Sequence, residues 1–420
     1  MPDISIPTID GEKAKWSWYL YDFANSILVI NGSLYFPQWV IKLKGVNDFW
    51  FNMSFALSSI FILLIGPMIG YLADKKFKAY SLLVISTIVL IVSGCLVGMA
   101  PLIKQETLQG QLALISFFWV LVSYQLSLVF YNAMLGSVSK TGKLMNTSAS
   151  GLAWGWIGGI VAIFFGLLFS KGYLPSINAP EGMKTVLPSA IVTGILSLIS
   201  LYGLRSVAHQ SGGELISTKI SVGFFWKTIK TRMILIFLIS YVCFSDAILT
   251  LQNNSTIYME KVFHFTDDTK AYMFIMVLLT GAIGAWLSVP IVRKLGLKKS
   301  LLGVLLAWTV VVVLSGMTFS EVWFTVWFAI IGLLNGAVWS IARVAYLIMV
   351  PSNLKNTMFG IYSSFERFAS ILGPMIWSAC LYININIQGY RLAWLSMAVF
   401  LLIGTIILSR IPSIETEKES

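Results

Sequence analysis

Apolar stretches of about 20 residues, the length that carries an α-helix across a hydrocarbon slab of about 30 Å, recur along the whole of this chain. Twelve are expected, at 16–42, 49–73, 79–101, 111–135, 148–171, 186–205, 231–259, 270–292, 300–319, 322–349, 357–384 and 390–410. A backbone inside lipid has no water to satisfy its polar groups, so helices are the natural solution. Composition agrees. Of 420 residues, 57% are hydrophobic and 11% charged, against about 45–50% and about 25% in an ordinary soluble domain. A nucleic-acid-binding globule, a secreted disulfide scaffold and a disordered tail are all excluded. The expected fold is an all-α membrane protein with 12 transmembrane helices.

The net charge of +11 reflects topology. Of the 29 Lys and Arg residues, 19 fall in one alternate set of loops and tails and 8 in the other. The positive-inside bias places both termini and the central polar stretch in the cytoplasm. Residues 1–15 are polar and do not resemble a cleavable signal peptide. Cys95, Cys243 and Cys380 lie inside apolar runs and read as packing residues, while His209 and His264 fall in loops far apart in sequence. No disulfide, metal site or cofactor is expected.

The longest polar stretch, 205–232, contains His209, Gly212, Gly213, Glu214, Lys219, Lys227 and Lys230 and falls near the middle of the chain. It divides the protein into a bundle at 1–204, a cytoplasmic linker at 205–230 and a second bundle at 231–420. Two internal echoes support duplication. Asn146-Thr147 and Asn356-Thr357 lead into spans five and eleven, and basic loops follow spans two (Asp74–Lys78) and eight (Arg293–Lys299). Two pseudo-symmetric six-helix bundles are therefore expected.

Ionisable residues within spans are expensive and face a bundle interior or a wet cavity. Five occur: Asp22, Asp246, Arg343, Glu366 and Arg367. Spans three, six, nine and twelve carry none and read as lipid-facing. Helical spacing groups the polar residues. Trp18, Asp22, Asn25 and Ser26 share a face of span one; Asp246, Thr250 and Asn253 a face of span seven; Asn335, Trp339 and Arg343 a face of span ten. Tyr124, Ser127 and Tyr131 line span four with Gln125 and Asn132 beside them. On span eleven Tyr362 and Glu366 share one face, and Ser363, Arg367 and Ser370 the next. These stripes are expected to converge on one central cavity. Asp246 lies about 20 Å into its span, at about 1.5 Å per residue. Three acids against two bases leave one carboxylate to be protonated or paired with a substrate cation. Other readings stay open: Asp22 also suits a helix start near the interface, Glu366–Arg367 a static pair, and Arg343 an anchor for the end of span ten.

Gly151, Gly155 and Gly159 are spaced by four on span five and permit close helix contact. Gly66-Pro67, Gly70 and Gly373-Pro374 mark bends.

Twelve spans, cytoplasmic termini and two halves resemble the major facilitator superfamily. Gly70-Tyr71-Leu72-Ala73-Asp74-Lys75-Lys76-Phe77-Lys78 is similar to its loop motif of Gly, three residues, Asp and basic residues, with Phe77 where a Gly is usual and Lys75 for Arg. By that resemblance Gly70 permits close helix contact, and Asp74 contacts a facing helix end and helps lock the outward-open state. A narrower resemblance is to the autophagy-related vacuole effluxer-like branch, with its many bacterial members. It rests on Tyr21-Asp22-Phe23-Ala24-Asn25-Ser26; Tyr131-Asn132-Ala133; Ser150-Gly151 through Gly159; Asp246; Ser340-Ile341-Ala342-Arg343; and Phe359-Gly360-Ile361-Tyr362 through Gly373-Pro374. Span seven reads Ser245-Asp246-Ala247 where Asp-Gly is expected.

The resemblance implies a major facilitator fold and a secondary active transporter, not an enzyme. Fungal relatives are implicated in exporting amino acids from the vacuole, so an amino acid is the leading substrate, with a coupling proton, membrane lipid around a monomer and no nucleic acid. Asp22, Asn25, Tyr131, Asn132, Asp246, Asn253, Arg343, Glu366 and Arg367 are the expected substrate- or proton-binding residues, with Arg343 or Arg367 for a carboxylate and Asp246 or Glu366 for an ammonium. No Gly-rich loop ending in Lys-Ser/Thr is present, so a gradient supplies the energy. A bacterial inner membrane is expected. Efflux of amphipathic drug-like or lipid-like compounds, or a non-transporting receptor, are the alternatives.

Overall fold

The computed structural model describes residues 8–43, 48–76, 79–139, 143–210, 231–383 and 386–412. Among the described residues, twelve α-helices have 21 residues or more. In chain order they are α1 (Thr8–Pro37), α2 (Asp48–Lys76), α3 (Ala79–Met99), α4 (Glu106–Ala133), α5 (Leu144–Ser170), α6 (Val186–Gln210), α7 (Arg232–Phe263), α8 (Asp267–Leu295), α9 (Leu297–Met317), α10 (Glu321–Met349), α11 (Lys355–Ile383) and α12 (Ile387–Ser409). Ten are long and apolar enough to cross a membrane. The two that fall short, α1 and α11, do so through polarity. α1 carries Glu12, Lys13 and Lys15 and then Asp22, Asn25, Ser26 and Asn31; α11 carries Lys355, Glu366 and Arg367.

Helix bounds depart from the sequence expectation at several places, among them α1 and α6. α1 starts at Thr8 and ends at Pro37, and the chain continues to Leu43 as a π-helical turn. α6 runs on to Gln210, into the expected linker. Gly212, Gly213, Glu214, Lys219, Lys227 and Lys230 lie outside the described residues, as do Phe77, Lys78 and Lys140.

Short connections are set by local chemistry. Gly296, at φ +79°, joins α8 directly to α9, a backbone state that costs glycine little. Thr266 and Ser320 cap α8 and α10 by accepting from the backbone N–H groups of Thr269 and Trp323, which satisfies one of each helix's unpaired donors.

The chain divides into two compact units. One comprises 1–140, 154–215 and 353–363; the other comprises 141–153, 216–352 and 364–420. The opening turns of α5 thus pack with the second unit and those of α11 with the first. Within the first unit α1 packs on α6, α3 on α4 and on α6, and α2 on α4. Within the second, α7 packs on α12, α9 on α10 and on α12, and α8 on α10. Each of the four pairings recurs six helices later.

Side chains repeat with the pairings. Ser17 of α1 sits against Gly203 of α6, and Ser240 of α7 donates to the Gly404 carbonyl of α12 at 2.7 Å. A small residue at each crossing lets the backbones approach, which is how helices gain packing energy without a hydrophobic drive. In the first unit Asn31 donates to Ser189 at 2.9 Å and Thr193 to the Ala24 carbonyl at 2.9 Å.

Candidate functional site

Within the second unit the α7–α11 contact concentrates the polar chemistry. Asp246 is fully buried, and neither carboxylate oxygen has a hydrogen-bond partner among the described residues. Gly373 of α11 faces it. A Cβ on Gly373 would lie 2.9 Å from Asp246 Oδ1 and would collide with Thr250 Oγ1. The Gly373 amide points toward Asp246 without closing a hydrogen bond of normal geometry. Gly373 is therefore glycine because the carboxylate and the hydroxyl occupy the space a side chain would need.

Two turns earlier on α11, Glu366 accepts from the Tyr241 hydroxyl at 3.0 Å and from Arg367 Nη2 at 3.0 Å. Arg367 Nε is buried and has no partner among the described residues. An acid and a base, both partly accessible, thus sit side by side with donor capacity to spare. Farther along α7, Gln252 donates to Asn335 Oδ1 at 2.9 Å, and Trp339 Nε1 donates to the same oxygen at 2.8 Å. A cavity of about 40 Å³ lies between Gln252, Ser255, Asn335, Trp308 and Trp394, room for a water molecule.

Arg343 is buried in the second unit and holds the start of α5. Its Nε donates to Ser148 Oγ at 3.0 Å and its Nη2 to the Ser148 carbonyl at 2.6 Å. Ser148 in turn donates to the Ser340 carbonyl at 3.0 Å, and Arg293 to Asn146 Oδ1 at 3.0 Å. Asn253 is exposed, while its neighbour Asn254 turns back to the Thr250 carbonyl at 2.9 Å.

The first unit repeats the aspartate-on-glycine arrangement. A Cβ on Gly155 of α5 would meet Asp22 Oδ2 at 2.6 Å. Asp22 and Asp246 are each followed four residues later by a hydroxyl, Ser26 and Thr250. Tyr131 of α4 is buried, its ring stacked on Trp18 with centroids 4.2 Å apart, and its carbonyl accepts from Trp18 Nε1 at 3.0 Å. Asn25 is fully buried near the Tyr21 hydroxyl, which pairs with Thr87 at 2.6 Å. Asn132 is half-buried next to Tyr131.

Also within the first unit, Asp74 at the end of α2 binds the start of α11. Its Oδ1 accepts from the backbone N–H and Nδ2 of Asn356 at 3.1 and 2.8 Å, and its Oδ2 from the backbone N–H and hydroxyl of Thr357 at 2.7 and 2.6 Å. A carboxylate at a helix N-terminus also complements the helix dipole. Burial lowers the pKa of Lys355 at this helix start, and the Asp74 charge opposes that shift. Gly70 and Gly66 make the approach possible. A Cβ on Gly70 would collide with the Asn356 carbonyl and lie 2.9 Å from Thr357 Cα, and one on Gly360 would lie 2.6 Å from the Gly66 carbonyl. All of these neighbours are backbone. Gly70→Ala is therefore expected to destabilise the protein by about 1–3 kcal/mol, the usual cost of overpacking, read as a lower thermal midpoint in detergent.

Glu366, Tyr241, Asp246 and Gly373 thus share one helix contact, whereas Arg343 serves a separate one. Tyr241, Gln252, Ser148, Gly155 and Gly373 enter the site chemistry without having stood out as ligands in sequence. Only a helix pairing could have revealed them.

Twelve long helices, a six-helix repeat of packing and carboxylates buried between helices define a multi-pass membrane transporter of the major facilitator type. Solved structures share the fold. One is a bacterial homologue of the iron transporter ferroportin in an outward-facing state (TM-score 0.76, 11% identity, covering 96% of this chain and 98% of that one). Another is the transporter FucP in the outward conformation (TM-score 0.73, 14% identity, 97% and 99%). The chain belongs to the Atg22-like vacuole effluxer family, whose model matches residues 137–419. Relatives include a protein of Aquifex aeolicus, 27% identical over 92% of this chain and 93% of its own length. The MFS-type transporter YxiO of Bacillus subtilis is 24% identical over 95% of each chain. Autophagy-related protein 22-2 of Neosartorya fischeri is 23% identical over 54% of this chain and 43% of its own length.

Proposed function

We propose that this protein is a secondary active transporter that moves a small zwitterionic solute, an amino acid, by alternating access, and that a proton gradient drives it. The observation that carries the reading is Asp246, a fully buried carboxylate with no partner among the described residues. An ionised carboxylate in such a place costs several kcal/mol unless a counter-charge accompanies it. A proton that arrives and leaves with each cycle supplies that compensation.

The Glu366–Arg367 pair supports the choice of solute. A zwitterion presents one ammonium and one carboxylate, and these two side chains offer the complementary charges about one residue apart. Arg343 is the less suited of the two arginines, because Ser148 already occupies two of its donor nitrogens. In this reading all twelve helices cross the membrane, with α1 and α11 sheltering their polar residues, and the termini lie in the cytoplasm of a bacterium. Asp74 and Gly70 govern gating. The name of the family, vacuole effluxer, supports movement of small solutes and leaves direction to be measured.

The test is flux into liposomes holding the purified protein, with a labelled amino-acid panel. Accumulation of at least one amino acid is expected under an imposed pH gradient, and it should collapse when a protonophore removes the gradient. Equal flux with and without the gradient would end the proton reading. No flux of any amino acid would end the substrate assignment.

A further inference from the structure

We propose that Asp246 and Thr250, with the α11 backbone packed against them at Gly373, form a binding site for a small monovalent cation, with sodium taking the place of the proton. The proposal rests on reading Asp246 as the coupling group and adds the ion that competes there.

Three observations support it. The first is the pair of partnerless carboxylate oxygens on Asp246. The second is Thr250, one turn further along α7. A buried threonine in a helix ordinarily donates its hydroxyl to the carbonyl four residues back. Thr87 and Thr405, both buried, do so in this protein. Thr250 Oγ1 is buried and does not; it has no partner among the described residues. The third is Pro374, inside α11. Proline has no N–H, so the carbonyl of Ser370, four residues earlier, loses its helical donor. Gly373, beside Pro374, brings the α11 backbone against both Asp246 and Thr250.

The donor chemistry selects the ion. Carboxylate, hydroxyl and carbonyl oxygens are hard ligands, suited to hard cations and not to transition metals. One carboxylate is neutralised by one positive charge, whereas a divalent ion would leave a net charge buried in the bilayer, which is costly. A fully hydrogen-bonded helix offers no free carbonyl, whereas a helix with an internal proline leaves one carbonyl without its helical donor.

The experiment is thermal unfolding of the full-length protein in detergent, with sodium, lithium, potassium or choline chloride at one ionic strength. Ligand linkage makes the shift grow with the logarithm of free ion above its dissociation constant. Sodium is expected to raise the midpoint by several degrees relative to choline, and potassium much less. Thr250→Val should abolish the sodium shift, and Thr250→Ser, which restores a hydroxyl, should retain it. Identical midpoints in sodium and choline for the wild type would overturn the proposal. So would a sodium shift that survives in Thr250→Val. Sodium-free liposomes separate this from the proton reading: pH-driven accumulation there, together with no sodium shift, would remove the sodium site and leave the proton assignment standing.

Discussion

Asp246→Asn is expected to abolish accumulation driven by a pH gradient while leaving exchange of labelled for unlabelled solute across the same liposomes. Asparagine keeps the size and shape of the side chain but carries no proton to release. One proton moving down a gradient of one pH unit supplies about 1.4 kcal/mol, or about tenfold accumulation. The variant should fall from about that ratio to unity. Exchange needs no net coupling, so its survival separates a lost proton site from a misfolded protein. The environment favours folding of the variant. The carboxylate has no described partner to lose, and asparagine removes a charge that the buried position penalises. Retention of gradient-driven accumulation would show that the coupling proton travels elsewhere, with Asp22 the next carboxylate to test because it faces Gly155 as Asp246 faces Gly373.

Residue spacing and hydropathy made the helices legible. The apolar runs coincide with α2 to α12 to within a few residues, because a span in lipid is set by length and side-chain polarity, both local properties. The start of α1 at Thr8 was not legible, since the polar turn before residue 16 forms helix without being apolar. Asn146-Thr147 and Asn356-Thr357 suggested a duplication in the sequence. The structure gives these two positions different chemistry. Asn356 and Thr357 bind a carboxylate, Asp74, whereas Asn146 accepts from a guanidinium, Arg293.

The candidate site could be read from the sequence as residue types and not as partnerships. Period and depth singled out Asp246 and Glu366. The role of Gly373 depends on which residues lie across the helix contact, and a single sequence does not encode that pairing locally. Arg343 illustrates the same limit. Its place on the polar face of α10 suggested a ligand, but its partner is Ser148, 195 residues away in the chain. The glycine spacing at 151, 155 and 159 marked a smooth helix face, and the structure adds that the second of these lies against a carboxylate.

The other large effect is expected at Asp74. Asp74→Asn should cost about 3–5 kcal/mol of stability, more than alanine truncation of an exposed acid and more than a neutral substitution usually costs. Asp74 accepts four hydrogen bonds, and bonds to a charged acceptor are worth about 1.5–3 kcal/mol each, less when they share one group. Asparagine retains one acceptor oxygen for Asn356. Its NH2 then faces the Thr357 N–H and hydroxyl, which donate to Oδ2 in the wild type. The backbone N–H can only donate, so at least one buried donor is left without an acceptor. The favourable interaction of a negative charge with the α11 N-terminus disappears as well. Thr357→Val, which removes one donor, should cost about 1 kcal/mol. The double variant should cost less than the sum of the two by about 1 kcal/mol, as expected for residues that bond each other. Denaturant unfolding of the full chain in detergent reads all three. A midpoint for Asp74→Asn equal to that of the wild type would mean that the four contacts contribute no net stability. α11 would then owe its position to packing at Gly70 and Gly360 alone, and Gly70→Ala would become the more damaging change.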